Sequence, residues 1–101
     1  MNRTTQRENK FQAKLKKEIE AMFPGCLIFK TDPSEYQGIA DLLILYQNKW
    51  AALECKRSKN ASKRNNQDYY VTLLNKMSFC RFIEPENKEE VLHELQLAFR
   101  S

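Results

Sequence analysis

Two apolar runs, residues 39–46 and 49–55, are separated only by Gln47 and Asn48. A two-residue connection between runs of strand length suits a tight antiparallel hairpin. The two runs are the most apolar part of the chain, so the hairpin is placed at the centre of a sheet. Three charged residues, Asp41, Glu54 and Lys56, interrupt this stretch and require an explanation. The 101 residues form one domain, 1–101, large enough to bury roughly 65% of the surface its unfolded chain exposes.

The flanking segments complete the element list. From about Thr5 to Phe23 the pattern predicts a helix, with Phe11, Leu15, Ile19 and Met22 close to one stripe and Pro24-Gly25 as the stop. Cys26 to Lys30 reads as a first strand, followed by a turn-rich loop, "TDPSEYQG". Asn65 or Asn66 is positioned to cap a second helix whose apolar stripe includes Tyr70, Val71, Leu74 and Met77. Ser78 to Ile83 is a fourth strand, Pro85 breaks the chain, and Lys88 to Phe99 is a closing amphipathic helix with Val91, Leu92, Leu95, Ala98 and Phe99 facing inward. The order is helix, three strands, helix, strand, helix. Since a helix connects the third strand to the fourth, those two are expected to run parallel within an otherwise antiparallel sheet. The class is α/β, a central mixed four-stranded sheet flanked by helices.

Charge tilts the choice of partner. The formal charge is +4 and the pI about 9.0, which favours polyanions. Lys56, Arg57, Lys59, Lys63 and Arg64 follow one another with no acid between them, which reads as a mobile basic loop. Cys26, Cys55 and Cys80 are odd in number, far apart and each in an apolar neighbourhood, the pattern of buried thiols in a reducing cytoplasm. No apolar run approaches the length of a membrane span. There is no phosphate-binding glycine loop and no nucleophile elbow. His93, the only histidine, falls on the polar side of the last helix and receives no role, and Trp50 is expected to pack.

Strand side chains alternate faces, so Glu54 and Lys56 share one face while Leu53 and Cys55 share the other. Across the hairpin, Asp41 falls beside Glu54. Paired carboxylates repel unless a cation lies between them, and hard oxygen donors suit Mg²⁺ or Mn²⁺. A surface cluster of charges on an exposed sheet face is the other reading of the same residues. Two further polar residues point the same way: Glu18 lies between Phe11 and Met22 on the first helix's apolar stripe, and Gln67 lies at helical spacing from Val71 and Leu74.

The ordered set Glu18, Asp41, Glu54-Cys55-Lys56 and Gln67 resembles the PD-(D/E)xK nuclease superfamily, in particular the phage VRR-NUC nucleases and the archaeal-type Holliday junction resolvases. The resemblance covers most of the chain and departs from the pattern at Ala40, where the family has proline. It implies a restriction-endonuclease-like core. It further implies metal ligation by Asp41, Glu54 and the Cys55 carbonyl with Glu18 assisting, a catalytic Lys56 serving the attacking water, and an orienting Gln67. Mg²⁺ or Mn²⁺ is the only cofactor expected, with no small molecule.

The implied activity is metal-dependent endonucleolytic cleavage of DNA, structure-selective on branched forms such as four-way junctions, by a homodimer in the cytoplasm, that of a bacterial host if phage-encoded. Candidate phosphate contacts are Arg57, Lys59, Lys63 and Arg64, with Lys30 a lesser one, and Tyr69 is a candidate for stacking on an unpaired base. A less selective nuclease, an inactive DNA-binding module with the same fold, and a purely protein-binding domain are the competing readings.

Overall fold

A computed structural model of the chain describes residues 3–63 and 66–100, with side chains described from residue 9 onward. Its elements are α1 (Arg3–Met22), β1 (Leu27–Lys30), β2 (Leu42–Tyr46), β3 (Lys49–Cys55), α2 (Gln67–Met77), β4 (Phe79–Ile83) and α3 (Lys88–Arg100). The four strands form one sheet in the order β1-β2-β3-β4. The first two pairings are antiparallel and β3 runs parallel to β4, its return path taken by α2.

The hairpin turn works because Gln47 accepts φ 56°, the left-handed conformation that places the second arm back alongside the first. Register then follows, with Leu42 opposite Leu53, Ile44 opposite Ala51 and Leu45 opposite Trp50. Gly25 at φ 91° turns the chain out of α1, and the Cys26 N–H donates to the Phe23 carbonyl at 3.0 Å.

Alternation divides the core in two. One face of the sheet carries Leu42, Ile44, Ala51, Leu53, Cys55, Phe79 and Ile83. These pack on Leu15, Ile19 and Phe23 of the first helical segment and on Val91, Leu92, Leu95 and Phe99 of α3. The other face brings Ala52 and Cys80, with half-buried Leu43, Trp50 and Phe82, against Val71 and Leu74 of α2. The result is a helix–sheet–helix sandwich whose hairpin centre is covered on both sides.

Several local expectations are corrected. β2 begins at Leu42, three residues after Ile39, because Thr31 holds the preceding backbone: its N–H donates to the Asp41 carbonyl at 2.8 Å and its hydroxyl donates to the Ala40 carbonyl at 2.6 Å. Asn66 precedes α2 in the left-handed conformation without a side-chain cap, its amide donating instead to the Gln37 carbonyl at 3.5 Å. Asn65, the other candidate cap, lies outside the described residues. Met77 leaves the apolar stripe and is 64% exposed, since α2 ends there and β4 turns away. Cys26 is half-buried, while Cys55 and Cys80 are buried, and all three thiols are free. Among the described residues no helix is long and apolar enough to cross a membrane.

The sandwich depends on α3 closing the larger core. Leu95 is fully buried, so Leu95→Ala is expected to cost about 3 kcal/mol and to lower Tm by more than about 10 °C. Met77→Ala, in solvent, is expected to move it by less than a few degrees. Thermal melts of the two variants check this, and equal losses would contradict the assignment of the core.

Candidate functional site

The site forms where β2 begins and β3 ends. One step beyond the Leu42–Leu53 pair, the register sets Asp41 level with Glu54. Asp41 is half-buried and its Oδ2 accepts the Cys55 N–H at 2.9 Å, so the aspartate is locked to the end of the neighbouring strand. The Cys55 thiol points into the larger core, and only its backbone can serve this end of the sheet.

Glu54 and Lys56 project from the α2 side and are 2% and 7% exposed, which is extreme burial for a carboxylate and an ammonium. Gln67 makes their burial tolerable. From the first residue of α2, its amide nitrogen donates to Glu54 Oε2 at 3.0 Å while its amide oxygen accepts a short hydrogen bond from Lys56 Nζ. Lys56 Nζ also donates to the Ser62 carbonyl at 3.2 Å and lies 6.0 Å from the centre of the Phe82 ring. Lys56 is thereby held by the helix, the loop that follows it and an aromatic face.

The second carboxylate oxygen of the glutamate is treated differently. Glu54 Oε1 is buried and has no hydrogen-bond partner. Burial first, and then the charge of Asp41, push the Glu54 carboxyl up to about 8, while Lys56 pulls in the opposite direction and is outweighed. Burial and the same glutamate charge raise the neighbouring Cys80 thiol to about 12, leaving it an inert sulfur. An orphaned, buried carboxylate oxygen beside a second carboxylate is the donor set that a hard divalent cation fits. Among the described residues no group of three or more His, Cys, Asp or Glu side chains is gathered around a metal site. Among the described residues, Asp41 and Glu54 are the two acids that meet at this corner.

A cleft of about 470 Å³ opens onto this corner, lined by Asp41, Gln67 and the loop from Thr31 to Ile39. The remaining residues predicted for the site are distributed around it. Glu18 is engaged elsewhere: its carboxylate accepts from Lys88 Nζ at 3.0 Å, in a small pocket lined by Phe11, Leu15 and Pro85. The basic stretch is less free than its composition implies. Lys59 pairs with Glu86 at 3.4 Å, and Lys63 pairs with Asp68 at 3.0 Å while lying over the Phe82 ring at 4.6 Å. The Ala61 N–H donates to the Ser58 carbonyl at 3.2 Å, and Lys56 holds Ser62, so the loop from 57 to 63 is anchored rather than free-running. Both ion pairs are solvent-exposed and worth only about 0–1 kcal/mol, which leaves the lysines open to a competing phosphate. Arg57 and Lys30 are exposed, and Arg64 lies outside the described residues. Tyr69 is 61% exposed.

Sequence reasoning missed Thr31, Ser62, Lys88 and Phe82. Thr31 was within reach, since the β1–β2 register extended one step past Lys30–Leu42 sets it against Asp41. Ser62 and Lys88 carry no signal in the chain, because each acts through a contact made only in three dimensions. No protein-family model, curated protein or solved structure matches the chain.

The raised glutamate has a measurable consequence. Between about pH 4.5 and 8 the folded chain keeps the Glu54 proton that the unfolded chain has lost, so stability falls as pH rises, by at most about 1.4 kcal/mol per unit. In EDTA, Tm of the wild type is expected to drop at least about 5 °C further than that of Glu54→Gln between pH 5.5 and pH 8. Parallel pH profiles of the two proteins would show that Glu54 is not a buried, raised carboxyl.

Proposed function

We propose that this chain is a Mg²⁺- or Mn²⁺-dependent endodeoxyribonuclease of the PD-(D/E)xK type, built on a restriction-endonuclease-like core and acting on branched DNA such as four-way junctions. The observation that carries the proposal is the meeting of Asp41, Glu54, Lys56 and Gln67 at one corner of the sheet, with Glu54 Oε1 buried and unpartnered beside Asp41. A surface cluster of charges would leave these groups in solvent, whereas Glu54 and Lys56 are almost wholly enclosed.

In this reading the Asp41 and Glu54 carboxylates hold the cation, with the Cys55 carbonyl as a further ligand. When bound, the cation stabilises charge on the scissile phosphate and makes water a better nucleophile near neutral pH. Gln67 fixes the orientation of Glu54 and, through its other end, the position of Lys56 Nζ. Lys56 then presents a cationic donor to the attacking water or to the phosphate, without the freedom an exposed lysine would have. The Cys55 N–H keeps Asp41 aimed into the site before any ligand arrives. Glu18 receives no direct role, because Lys88 occupies its carboxylate. Arg57, Lys59 and Lys63 follow the lysine strand end and supply backbone contacts that carry no sequence information, in keeping with recognition by DNA shape. Two copies of the chain would present two such sites to the two strands cut at a junction.

The test compares end-labelled four-way junction, linear duplex and single strand, with Mg²⁺ and with EDTA, for wild type, Asp41→Asn and Lys56→Ala. Metal-dependent cutting concentrated at the junction is expected, falling at least about 100-fold in either variant. Full cleavage by either variant, or cutting undiminished in EDTA, would overturn the proposal. Salt-sensitive binding of all three DNAs with no cutting would instead place the chain among inactive DNA-binding modules.

A further inference from the structure

The cleft that opens onto Asp41 and Gln67 has a largely neutral polar wall away from Asp41. Its lining includes Thr31, Asp32, Ser34 and Gln37, together with Asp41, and among the described residues contains no lysine or arginine. Asp32 and Asp41 disfavour a phosphate group there unless a cation lies between. Neutral donors and acceptors on its wall suit the polar edge of a nucleobase.

Three tyrosines neighbour its lining residues in the chain, and Tyr69 itself lines a separate shallow pocket with Thr72, Leu73 and Lys76. Tyr36 lies in the chain between the lining residues Ser34 and Gln37, and Tyr69 and Tyr70 follow Gln67 on the first turn of α2. The Tyr36 and Tyr70 rings meet edge to face at 6.3 Å, joining the loop wall to the helix wall, and Tyr70 meets Tyr69 in the same manner at 5.0 Å. The two outer rings are left largely in water, Tyr36 at 56% and Tyr69 at 61% exposure. Isolated exposed aromatics are ordinary. Here three rings form one row, joined through the chain to the wall of a polar cleft at the reactive corner, with the two outer rings left largely in water.

We propose that Tyr36, Tyr69 and Tyr70 form a stacking platform for an unpaired nucleobase of the DNA strand whose adjoining phosphate reaches Asp41 and Glu54. Tyr70, half-buried between the others, sets the positions of the two exposed rings. A paired base keeps both its faces covered by its neighbours in the stack and cannot use this surface, so the platform selects strand ends, branch points and other unpaired nucleotides. The inference rests on the nuclease reading of the neighbouring corner.

The experiment measures fluorescence anisotropy of a labelled oligothymidine and of a labelled blunt duplex, in EDTA and low salt so that no strand is cut. Tyr36→Ala/Tyr69→Ala is expected to weaken binding of the single strand about ten-fold while changing duplex binding less than about two-fold, and Tyr36→Phe/Tyr69→Phe to bind as the wild type does. If the double alanine variant unfolds, Tyr69→Ala alone carries the test, with an expected loss of about five-fold on the single strand. Unchanged single-strand affinity, or equal losses on both DNAs, would overturn the platform while leaving the nuclease reading in place. Failure of the wild type to bind either DNA would overturn both.

Discussion

The Gln67 amide is used at both ends, donating to Glu54 and accepting from Lys56, and it does so from the first residue of α2. Without it the buried Glu54 would lose its amide donor and Lys56 would keep only the Ser62 carbonyl, and a buried polar group left unsatisfied costs more than a hydrogen bond contributes. Everything that positions Gln67 therefore bears on the site. Val71 and Leu74 seat α2 against Ala52 and Cys80, so the smaller core sets the distance between helix and sheet. The larger core, on the opposite face, holds Leu53 and Cys55 and so keeps Glu54 and Lys56 turned towards that helix.

The two carboxylates are built to be unequal. Asp41 has a backbone donor in the Cys55 N–H and a partly open position, whereas Glu54 is enclosed and has one oxygen satisfied and one not. An enclosed acid next to another acid keeps its proton to about pH 8, and under the proposed function would give it up to an incoming cation. The same arrangement explains why the corner is tolerated in a small domain: protonation relieves the repulsion when no cation is present. The nearby Glu18–Lys88 pair is a different kind of contact, tying α1 to α3 across the larger core's rim.

Much of this was legible in the chain because alternation is a strong signal. Two apolar arms with Gln47-Asn48 between them determine a register, and that register alone brings Asp41 opposite Glu54 and puts Lys56 on the same face. Gln67 was legible as a polar residue at helical spacing from Val71 and Leu74. Glu18 illustrates the limit. Its place on an apolar stripe reads as an acid aimed inward, whereas the fold leaves it half-buried at the core's rim with Lys88, seventy residues away on a helix whose approach no local pattern specifies. The anchoring of the basic stretch was legible only in part: Asp68 stands close to Lys63 in the chain, whereas Glu86 reaches Lys59 only through the fold. Met77 marks a boundary effect: helical periodicity continues on paper past the point where the neighbouring sheet ends.

The central claim is that Asp41 and Glu54 together hold a divalent cation. Its most direct test is a calorimetric titration of Mn²⁺ into the wild type and Asp41→Asn at pH 7, repeated in two buffers of different ionisation heat. Because Glu54 is still largely protonated at that pH, a single cation is expected to bind the wild type with release of about one proton, and binding is expected to be lost in the variant. Absence of binding by the wild type at millimolar Mn²⁺, or equal binding by both proteins without proton release, would contradict it.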